Sequence, residues 1–460
     1  MQTLRARCSC LAILLLTTVP AGAAQREAVR TLPKLDLTPF AGKDVGRAEL
    51  VPVLAGEHVL VTSTLRLFAF DARTAELRWS AGPPHGWDAL EPAVREQLFD
   101  GLDLRLLWVA PAASERVVVA ALQLPLSRNP TEDWHGIQIA TAVPERRLFA
   151  FELDSGRPLW NHAPAGSGQL AEPSFAQEMT LTSSPTVTGS RVLVPCTSDE
   201  SSVDYHVACY ELTTGALLWN TFVLRGQLER NSFGKAMREF AGPPLVAVAE
   251  RGCVLAQTGL GAIAALDLAT GTLLWRTDYY PIPVPKARTY TAPKREVVWR
   301  TTPPIVVGDV VLATPPDSFD LMALDLAYGH VLWINPARSL ASLHSETAKL
   351  GFDHLIGASA DVIYVGGSKL SAFAKRGGFR SPRRFENLWT VPLEQSWTLG
   401  RAQLAGEGIF QPGPGECLVL DRKTGTKGND HALTSRPRGF LVTDGALYAL
   451  GDDGLKRIER

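Results

Sequence analysis

The chain has 460 residues, and its 46 lysine and arginine residues almost balance its 47 aspartate and glutamate residues, which gives a formal net charge of −1. This balance argues against a dedicated nucleic-acid-binding protein, whose surface would be basic. Hydrophobic residues make up 45% of the chain and charged residues 20%, so a large core can be buried and overall disorder is excluded.

The N-terminal residues have the three parts of a secretory signal peptide. Arg5 and Arg7 form the positive start, and an apolar run that is too short to span a bilayer follows at 11–19. Small residues at 21–24 then permit cleavage. A short apolar segment buried in the fold is the alternative. We predict a signal peptide at 1–24.

Export of a soluble protein follows from this prediction. Cys8 and Cys10 precede the apolar run, so neither has the position of a bacterial lipoprotein cysteine, and we expect no lipid anchor. No later stretch has the roughly 18 consecutive apolar residues of a transmembrane helix. We expect a periplasmic or cell-envelope protein that starts with an N-terminal extension at 25–44.

Four cysteines follow the signal peptide, at Cys196, Cys209, Cys253 and Cys417. Cys196 and Cys209 could lie on adjacent strands of one hairpin, and an oxidising compartment permits a disulfide between them. Alternatively, all four are small buried thiols, because a chain of this length needs no covalent crosslink. No C-x-x-C pair follows the signal peptide to indicate a redox or zinc site.

One phrase recurs along the rest of the chain: an apolar stretch that ends in an acidic residue, a glycine or alanine four residues later, and a tryptophan after four more. Five copies share this spacing, at Asp71, Ala75 and Trp79, at Glu152, Gly156 and Trp160, at Glu211, Gly215 and Trp219, at Asp267, Gly271 and Trp275, and at Asp325, Gly329 and Trp333. Weaker copies follow at 370–373 with Trp389, at 418–421 with Asp421 and Gly425, and at 447–450, which makes eight units.

Each unit is typical of a small antiparallel sheet. The apolar stretch is a strand, the acidic residue opens a turn, and glycine takes the positive φ that the turn requires. The strand that follows has adjacent apolar residues, as at 217–219, so we expect both of its faces to be buried. Such sheets, repeated in series, predict blades packed around an axis, with the tryptophans filling the seams between blades.

The predicted fold is therefore all-β, an eight-bladed β-propeller of four-stranded antiparallel blades that forms a single domain at 45–460, with short helical inserts. The last two units lack the tryptophan, which leaves a seven-bladed closure open. The phrase A-x-D-x-x-T-G-x-x-x-W at 265–275 resembles the tryptophan-docking repeat of the quinoprotein (PQQ-like) β-propeller superfamily, and the resemblance covers 45–453. Members include quinone-dependent alcohol dehydrogenases and BamB, the propeller subunit of the outer-membrane assembly machinery.

Insertions interrupt the regular spacing. We predict a helix at 88–100 and possible helical structure within 225–244, and two further insertions lie at 124–147 and 279–300. These insertions are either ordinary loops that pack on themselves or a face for a protein partner. The candidate partner face consists of Trp134, Arg146, Arg147, Tyr290, Arg295 and Trp299.

A basic run lies in the sixth unit, and we interpret it as a solvated loop, with lipid phosphate or an acidic partner as the alternative. Its members are Lys375, Arg376, Arg380, Arg383 and Arg384.

Signals for catalysis are absent from the sequence. No metalloprotease, nucleophile-elbow, phosphate-loop or EF-hand motif occurs, and the histidines are scattered. The repeated acidic residues are explained by their place in turns. The resemblance implies that the quinone enzymes have an adjacent-cysteine disulfide, an acidic calcium site and a catalytic aspartate. This chain has no Cys-Cys dipeptide after the signal peptide, so no family catalytic residue can be assigned to a position here.

The sequence thus favours an exported, non-catalytic propeller that works as an interaction or envelope-assembly scaffold. We expect a protein partner in the cell envelope, no nucleic acid, no bound cofactor and a monomeric propeller. The alternative is a dehydrogenase of alcohols or sugars that depends on PQQ and Ca²⁺ and has a divergent site.

Overall fold

The chain divides into two units, Met1–Pro33 and Lys34–Arg460, and every described residue belongs to the second. The predicted signal peptide, the N-terminal extension and the predicted helix at 88–100 lie outside the described residues. The computed structural model describes residues 50–63, 66–83, 108–124, 132–134, 137–139, 145–163, 175, 179–199, 203–227, 241–284, 297–336, 351–381, 383–394, 400–433, 437–451 and 454–460.

The first four blades follow one another in chain order. Blade 1 comprises β1 (Val53–Ala55), β2 (His58–Thr62), β3 (Leu67–Asp71) and β4 (Leu77–Ala81). Blade 2 comprises β5 (Ala112–Ala113), β6 (Val117–Leu124), β9 (Glu145–Glu152) and β10 (Pro158–Asn161), and a separate hairpin of β7 (Glu132–Trp134) and β8 (Ile137–Ile139) lies between β6 and β9 in sequence. Blade 3 comprises β11 (Thr180–Leu181), β12 (Thr186–Thr188), β13 (Arg191–Asp199), β14 (Val203–Glu211) and β15 (Leu217–Gly226). Blade 4 comprises β16 (Val246–Val248), β17 (Cys253–Gln257), β18 (Ala262–Asp267) and β19 (Leu273–Asp278).

The second four blades continue the series. Blade 5 comprises β20 (Ile305–Val307), β21 (Val310–Ala313), β22 (Asp320–Asp325) and β23 (Val331–Pro336). Blade 6 comprises β24 (Phe352–Ala358), β25 (Val362–Gly367), β26 (Lys369–Ala374) and β27 (Glu386–Pro392). Blade 7 comprises β28 (Gln403–Ala405), β29 (Gly408–Pro412), β30 (Glu416–Asp421) and β31 (His431–Ala432). Blade 8 comprises β32 (Gly439–Val442), β33 (Ala446–Gly451) and β34 (Gly454–Glu459).

The prediction of an eight-bladed propeller of antiparallel sheets is confirmed, and the seven-bladed alternative is wrong. Neighbouring strands of each blade pair antiparallel, so short connections suffice. The first strand of each blade lies toward the axis. Leu50, just before β1, forms parallel bridges both to Gly439 at the start of β32 and to Val109 just before β5, so the inner ends of blades 8, 1 and 2 meet.

The core lies between the blades. Eight clusters of buried apolar side chains each join one blade to the next, and one of them joins blade 8 back to blade 1. In that closing cluster Val59 and Phe68 of blade 1 pack with Tyr448 and Leu450 of blade 8. The sheets therefore form a closed ring, which stabilises the fold through burial between sheets and not within any single blade.

Three expectations about local structure are corrected. The outermost strands are not buried on both faces, because leucines of β15 and β19 are exposed. The stretch 447–450, which we counted as a copy of the phrase, is not equivalent to the others, because it lies in the second strand of its blade and they lie in the third. The segment 124–147, predicted as an insertion, contributes the hairpin of β7 and β8. Most of the predicted helical segment within 225–244 lies outside the described residues. The described part of the chain contains no helix long and apolar enough to cross a membrane.

Candidate functional site

The regular spacing of the repeat places a tryptophan at the seam between one blade and the next. The indole Nε1 of Trp79, on the outer strand of blade 1, donates a hydrogen bond of 2.9 Å to the carbonyl of Leu153 in blade 2. Its ring covers Gly156, where a Cβ would lie 2.6 Å from an indole carbon. The equivalent indoles of four further seams donate to backbone carbonyls in the same way, from Trp160 to Leu212, from Trp275 to Leu326, from Trp333 to Phe379 and from Trp389 to Arg422.

The acidic residue of each phrase shapes the turn that receives the tryptophan. The carboxylate of Asp267 accepts hydrogen bonds from the backbone N–H groups of Ala269 (2.9 Å) and Thr270 (2.7 Å). The bond from Thr270 is the main cause that holds the pKa of Asp267 below its ordinary value. These carboxylates are ionised turn caps on the periphery, so they do not form a catalytic ring. Asp71, Glu211, Asp325 and Asp421 accept two backbone N–H groups likewise, whereas Glu152 accepts from the side chains of Ser155 and Arg157.

The glycine of the phrase is present where a tryptophan packs. Gly215, Gly271, Gly329 and Gly425 all have positive φ and lie under the indoles of Trp160, Trp219, Trp275 and Trp389. Ala75 of blade 1 takes the same conformation, with φ of 59°, but the seam behind it has no tryptophan. There Tyr448 of blade 8 donates its hydroxyl proton to the carbonyl of Ala72 (2.7 Å). Among the described turns of the repeat, the turn at Ala75 is the one onto which no indole packs. Alanine is therefore tolerated there.

Three of the six residues of the predicted partner face are buried. Trp299 is 0% exposed, Arg146 is 2% exposed and Arg147 is 1% exposed. Since buried side chains cannot meet a partner, the assignment of these three residues to an exposed face is wrong. Trp134 lies in β7, and Tyr290 and Arg295 lie outside the described residues.

The basic run is also only partly a solvated loop. Lys375 is 3% exposed, and its Nζ donates to the carbonyl of Arg383 (2.6 Å). The same Nζ lies 4.3 Å from the ring centroid of Trp333 and 4.7 Å from that of Phe385, so the ammonium group gains cation–π contacts. Burial lowers the pKa of Lys375. Arg376 forms an exposed ion pair, as a solvated loop would have.

A polar cluster lies where inner strands meet, and no pattern in the sequence indicated it. Nε of Arg300, before β20, donates to Asp353 of β24 (2.9 Å). His354 shares a hydrogen bond of 2.6 Å between its Nδ1 and Asp353. The guanidinium of Arg401, before β28, bonds to the carbonyl of Thr301. It also lies 5.2 Å from the ring centroid of Trp108, which belongs to blade 2, so side chains of blades 7 and 2 meet across the ring.

The charges of this cluster compensate one another. Burial lowers the pKa of His354 and outweighs the opposing effect of Asp353, so the imidazole is neutral at neutral pH. Burial alone would raise the pKa of Asp353, but the hydrogen bond from His354 and the charges of Arg300 and Arg401 hold it below its ordinary value. The cluster therefore joins inner strands of separate blades, and its residues escaped prediction because they lie far apart in the sequence.

The residues described do not fit the features that the resemblance implies for quinone enzymes. Nowhere in the described ranges do three or more histidine, cysteine or acidic side chains come together to hold a metal ion. The four cysteines are buried free thiols. Cys196 pairs across the hairpin with His206, and Cys209 pairs with Leu193, so the two thiols are out of register for the disulfide considered above.

An apolar rim is the surface best suited to binding. The outer strands of blades 3 to 5 expose large apolar side chains close to each tryptophan. Five of them lie one or two residues before the tryptophan, whereas Phe222 and Ile334 follow it. Leu274 is 52% exposed, Leu218 is 48% exposed and Ile334 is 50% exposed. The full set, named here the rim, is Leu217, Leu218, Phe222, Leu273, Leu274, Val331 and Ile334.

A repeated bulge helps to explain this exposure. The pairing of β18 with β19 aligns Ala265 with Trp275 and Leu266 with Leu273, so Leu274 is an extra residue without a partner. Blade 3 has the same irregularity at Leu218. A bulge turns the strand and lets the tryptophan face the next blade while the unpaired leucine faces outward. Adjacent apolar residues on an outer strand therefore indicate this bulge, and the prediction that both faces of the strand are buried is wrong.

An eight-bladed, tryptophan-docked propeller with an apolar rim belongs to a known class of repeat proteins. A sequence family described as outer membrane protein assembly factor BamB matches residues 34–335 and again 203–381. The chain belongs to this family, which confirms the predicted resemblance. No curated protein matches the chain in sequence.

Solved structures share the fold at low sequence identity. BamB from Moraxella catarrhalis has a TM-score of 0.51 at 15% identity, over 88% of this chain and 94% of that one. The quinohemoprotein alcohol dehydrogenase from Comamonas testosteroni has a TM-score of 0.54 at 15% identity, over 87% of this chain and 70% of that one. Sqt1 from Saccharomyces cerevisiae has a TM-score of 0.51 at 9% identity, over 90% and 96%. These similarities establish the fold alone.

Proposed function

We propose that the protein is an exported, non-catalytic scaffold that binds another protein of the cell envelope through its apolar rim. The observation that carries this proposal is the rim itself, seven large apolar side chains exposed on three consecutive blades. Isolated exposed leucines are ordinary, but a repeated group of them on neighbouring strands is typical of a protein-binding surface.

The partner chemistry follows from the strands that carry the rim. Outer strands β15, β19 and β23 each lie at the edge of their sheet among the described strands, and edge strands can pair with a further strand beside their apolar side chains. Ion pairs lie close by, between Arg225 and Asp204 (2.6 Å) and between Arg276 and Asp278 (3.0 Å). An apolar strand or loop of a folded protein, with polar groups around it, suits this combination.

The location is part of the same proposal. The N-terminal pattern of a positive start, an apolar run and small residues supports export to the periplasm or cell envelope. The family that the chain belongs to is named for outer-membrane assembly, which supports a scaffold role in the envelope.

The test is capture of the partner from envelope extract by the purified protein, followed by quantitative mass spectrometry. The rim variant combines Leu218→Ser, Leu274→Ser and Ile334→Ser, and we expect it to lose about tenfold or more of the captured partner, since buried apolar contacts dominate such interfaces. The matched control is Leu54→Ser, which changes a leucine of similar exposure (43%) on an inner strand.

The control should capture the partner as well as the unchanged protein does. Equal capture by the rim variant would contradict the proposal. Titration with PQQ and calcium, followed by tryptophan fluorescence, addresses the dehydrogenase alternative. Saturable, calcium-dependent quenching would overturn the non-catalytic assignment, and we expect none.

A further inference from the structure

A short segment directly after outer strand β19 displays a tyrosine that contributes almost nothing to the packing of the fold. Tyr280 is 97% exposed, which is the largest exposure of any large hydrophobic side chain in the described part of the chain. Prolines follow at 281 and 283, and the sequence continues with a third at 285. The residues 279–283, named here the proline segment, open the insertion at 279–300.

The alternating prolines restrict the backbone of this segment. Each proline fixes its own φ at about −65° and disfavours the helical conformation for the residue before it. Pro281 and Pro283 therefore constrain Tyr280 and Ile282 as well as themselves. Because a proline has no backbone N–H, the segment is also poorly suited to pair along a sheet edge. An extended polyproline II helix, with about three residues per turn and no internal hydrogen bonds, satisfies both restrictions.

The burial of the side chains follows this period. Tyr279 is partly buried, and Ile282, three residues later, is 8% exposed. Tyr280, Pro281 and Pro283 are exposed. One edge of the helix thus faces the protein, and the other two edges face outward.

The inward edge is anchored at both of its residues. The N–H of Tyr279 donates to the carbonyl of Gly261 (2.9 Å), and its hydroxyl donates to Oδ1 of Asp317 (2.6 Å). The N–H of Ile282 donates to the backbone carbonyl of Asp317 (2.6 Å), and its side chain belongs to the same buried cluster as Trp299. The backbone between the two anchors is therefore held in place, so binding requires little further ordering.

From these observations we propose that the proline segment is the ligand of a partner protein whose groove is lined by aromatic side chains and recognises polyproline II helices. The rings of Tyr280, Pro281 and Pro283 form the two outward edges that such a groove accepts. Recognition of this kind relies on a preformed helix of low entropy, which the anchored segment provides. The proposal goes beyond the rim, because the surface, the partner chemistry and the kind of contact all differ.

The test uses the full chain as bait in envelope extract and elutes bound protein with the blocked peptide Tyr-Tyr-Pro-Ile-Pro-Val-Pro-Lys. This peptide reproduces residues 279–286, and its prolines favour polyproline II without the rest of the fold. We expect it to release a bound protein with a half-maximal effect on the order of tens of micromolar. The control peptide has glycine in place of each proline, and it should require a concentration about tenfold higher or more. Absence of a released protein, or equal release by both peptides, overturns the proposal.

The contribution of the exposed ring is tested by Tyr280→Ala and its matched control Tyr328→Ala. Tyr328 is also exposed, at 69%, but it lies in a turn of blade 5 and has no neighbouring proline. We expect Tyr280→Ala to bind the released protein about tenfold more weakly than the unchanged protein does, and Tyr328→Ala to stay within about twofold. Equal affinities of the two variants overturn the proposal. Circular dichroism of both variants verifies their fold.

A photo-crosslinking residue distinguishes the possible occupants of the outward edges. We expect p-benzoylphenylalanine in place of Tyr280 to crosslink the released protein at a groove that contains tryptophan or tyrosine, as mapped by mass spectrometry. A crosslink within one copy of this chain would show that another of its segments covers Tyr280. A crosslink between copies would assign the segment to self-association. Either result, or a crosslink to a partner surface without aromatic side chains, overturns the proposal.

The rim variant separates this proposal from the scaffold role of the rim. The variant with Leu218→Ser, Leu274→Ser and Ile334→Ser leaves the proline segment unchanged, so we expect it to bind the protein that the peptide releases. Loss of that protein from the rim variant, together with its retention by Tyr280→Ala, would assign the protein to the rim and overturn the present proposal. Failure of the rim variant to affect any captured protein would contradict the rim alone.

Discussion

The seams between blades provide the sharpest quantitative prediction, the effect of Gly215→Ala. Gly215 has φ of 72°, and a Cβ there would lie 2.6 Å from two indole carbons of Trp160. Gly189 has a similar φ of 54°, and a Cβ there would meet nothing within 4 Å. The two substitutions therefore impose the same kind of backbone strain, and only one of them introduces a steric clash.

The expected difference follows from the contacts. A left-handed conformation costs an alanine about 1 kcal/mol, and this cost is common to both variants. Carbon atoms pack at about 3.5–4.0 Å, so the indole of Trp160 has to move by about 1 Å to admit the new methyl group. That movement strains its hydrogen bond of 2.8 Å to the carbonyl of Leu212. We expect Gly215→Ala to lower the free energy of unfolding by about 3 kcal/mol more than Gly189→Ala does.

The measurement is urea unfolding followed by tryptophan fluorescence, with midpoint and slope compared between the two variants. The midpoint of Gly189→Ala should decrease slightly and that of Gly215→Ala strongly, with similar slopes. Equal midpoints would refute the reasoning, because they would mean that the packing of Trp160 on the glycine contributes nothing to stability. Ala75 already illustrates the principle, since it has φ of 59° where the preceding seam has no tryptophan.

Three further predictions concern buried polar groups. Trp275→Phe removes an N–H that donates to the carbonyl of Leu326 (2.9 Å), whereas the indole N–H of Trp219 has no acceptor in the described part of the chain. We expect Trp275→Phe to destabilise by about 1 kcal/mol more than Trp219→Phe in the same urea assay. Burial lowers the pKa of His354 from 6.5, so below that pH the unfolded state takes up the proton first. Stability should decrease as pH falls below 6.5, and less so in His354→Gln. Burial raises the pKa of Cys417 to about 12, so the unfolded thiol ionises first above pH 9. Stability should decrease as pH rises from 9 toward 12, and Cys417→Ala should reduce that slope.

The repeated part of the fold was predictable because its determinants are local. The spacing between Asp267 and Gly271 specifies one turn. Trp275, which follows this turn on an outer strand, can be buried only against the neighbouring blade. The five copies in frame have the same local structure, and together with the three weaker copies they predict eight blades. No knowledge of distant contacts is needed for either step.

The candidate surfaces were not predictable in the same way. The exposure of Leu274 depends on a bulge, and a bulge adds no distinct signature to a run of apolar residues. Burial of Trp299 and Arg147 was missed because both lie in insertions, where composition alone does not distinguish a partner face from a core. Contacts such as that of Arg401 with Trp108 join residues that only ring closure brings together.

Blade 8 shows how one local change can alter a whole seam. Six seams have a tryptophan from the outer strand of the preceding blade, whereas the described residues at the two seams of blade 8 include none. One is filled by Leu433 and Phe440, and the other is closed by Tyr448, which bonds to blade 1 from the second strand of its blade. The hydroxyl of Tyr448 thus takes a backbone carbonyl of the next blade as its acceptor, as the indole N–H groups do at the other seams, and the same kind of contact closes the ring with a different side chain.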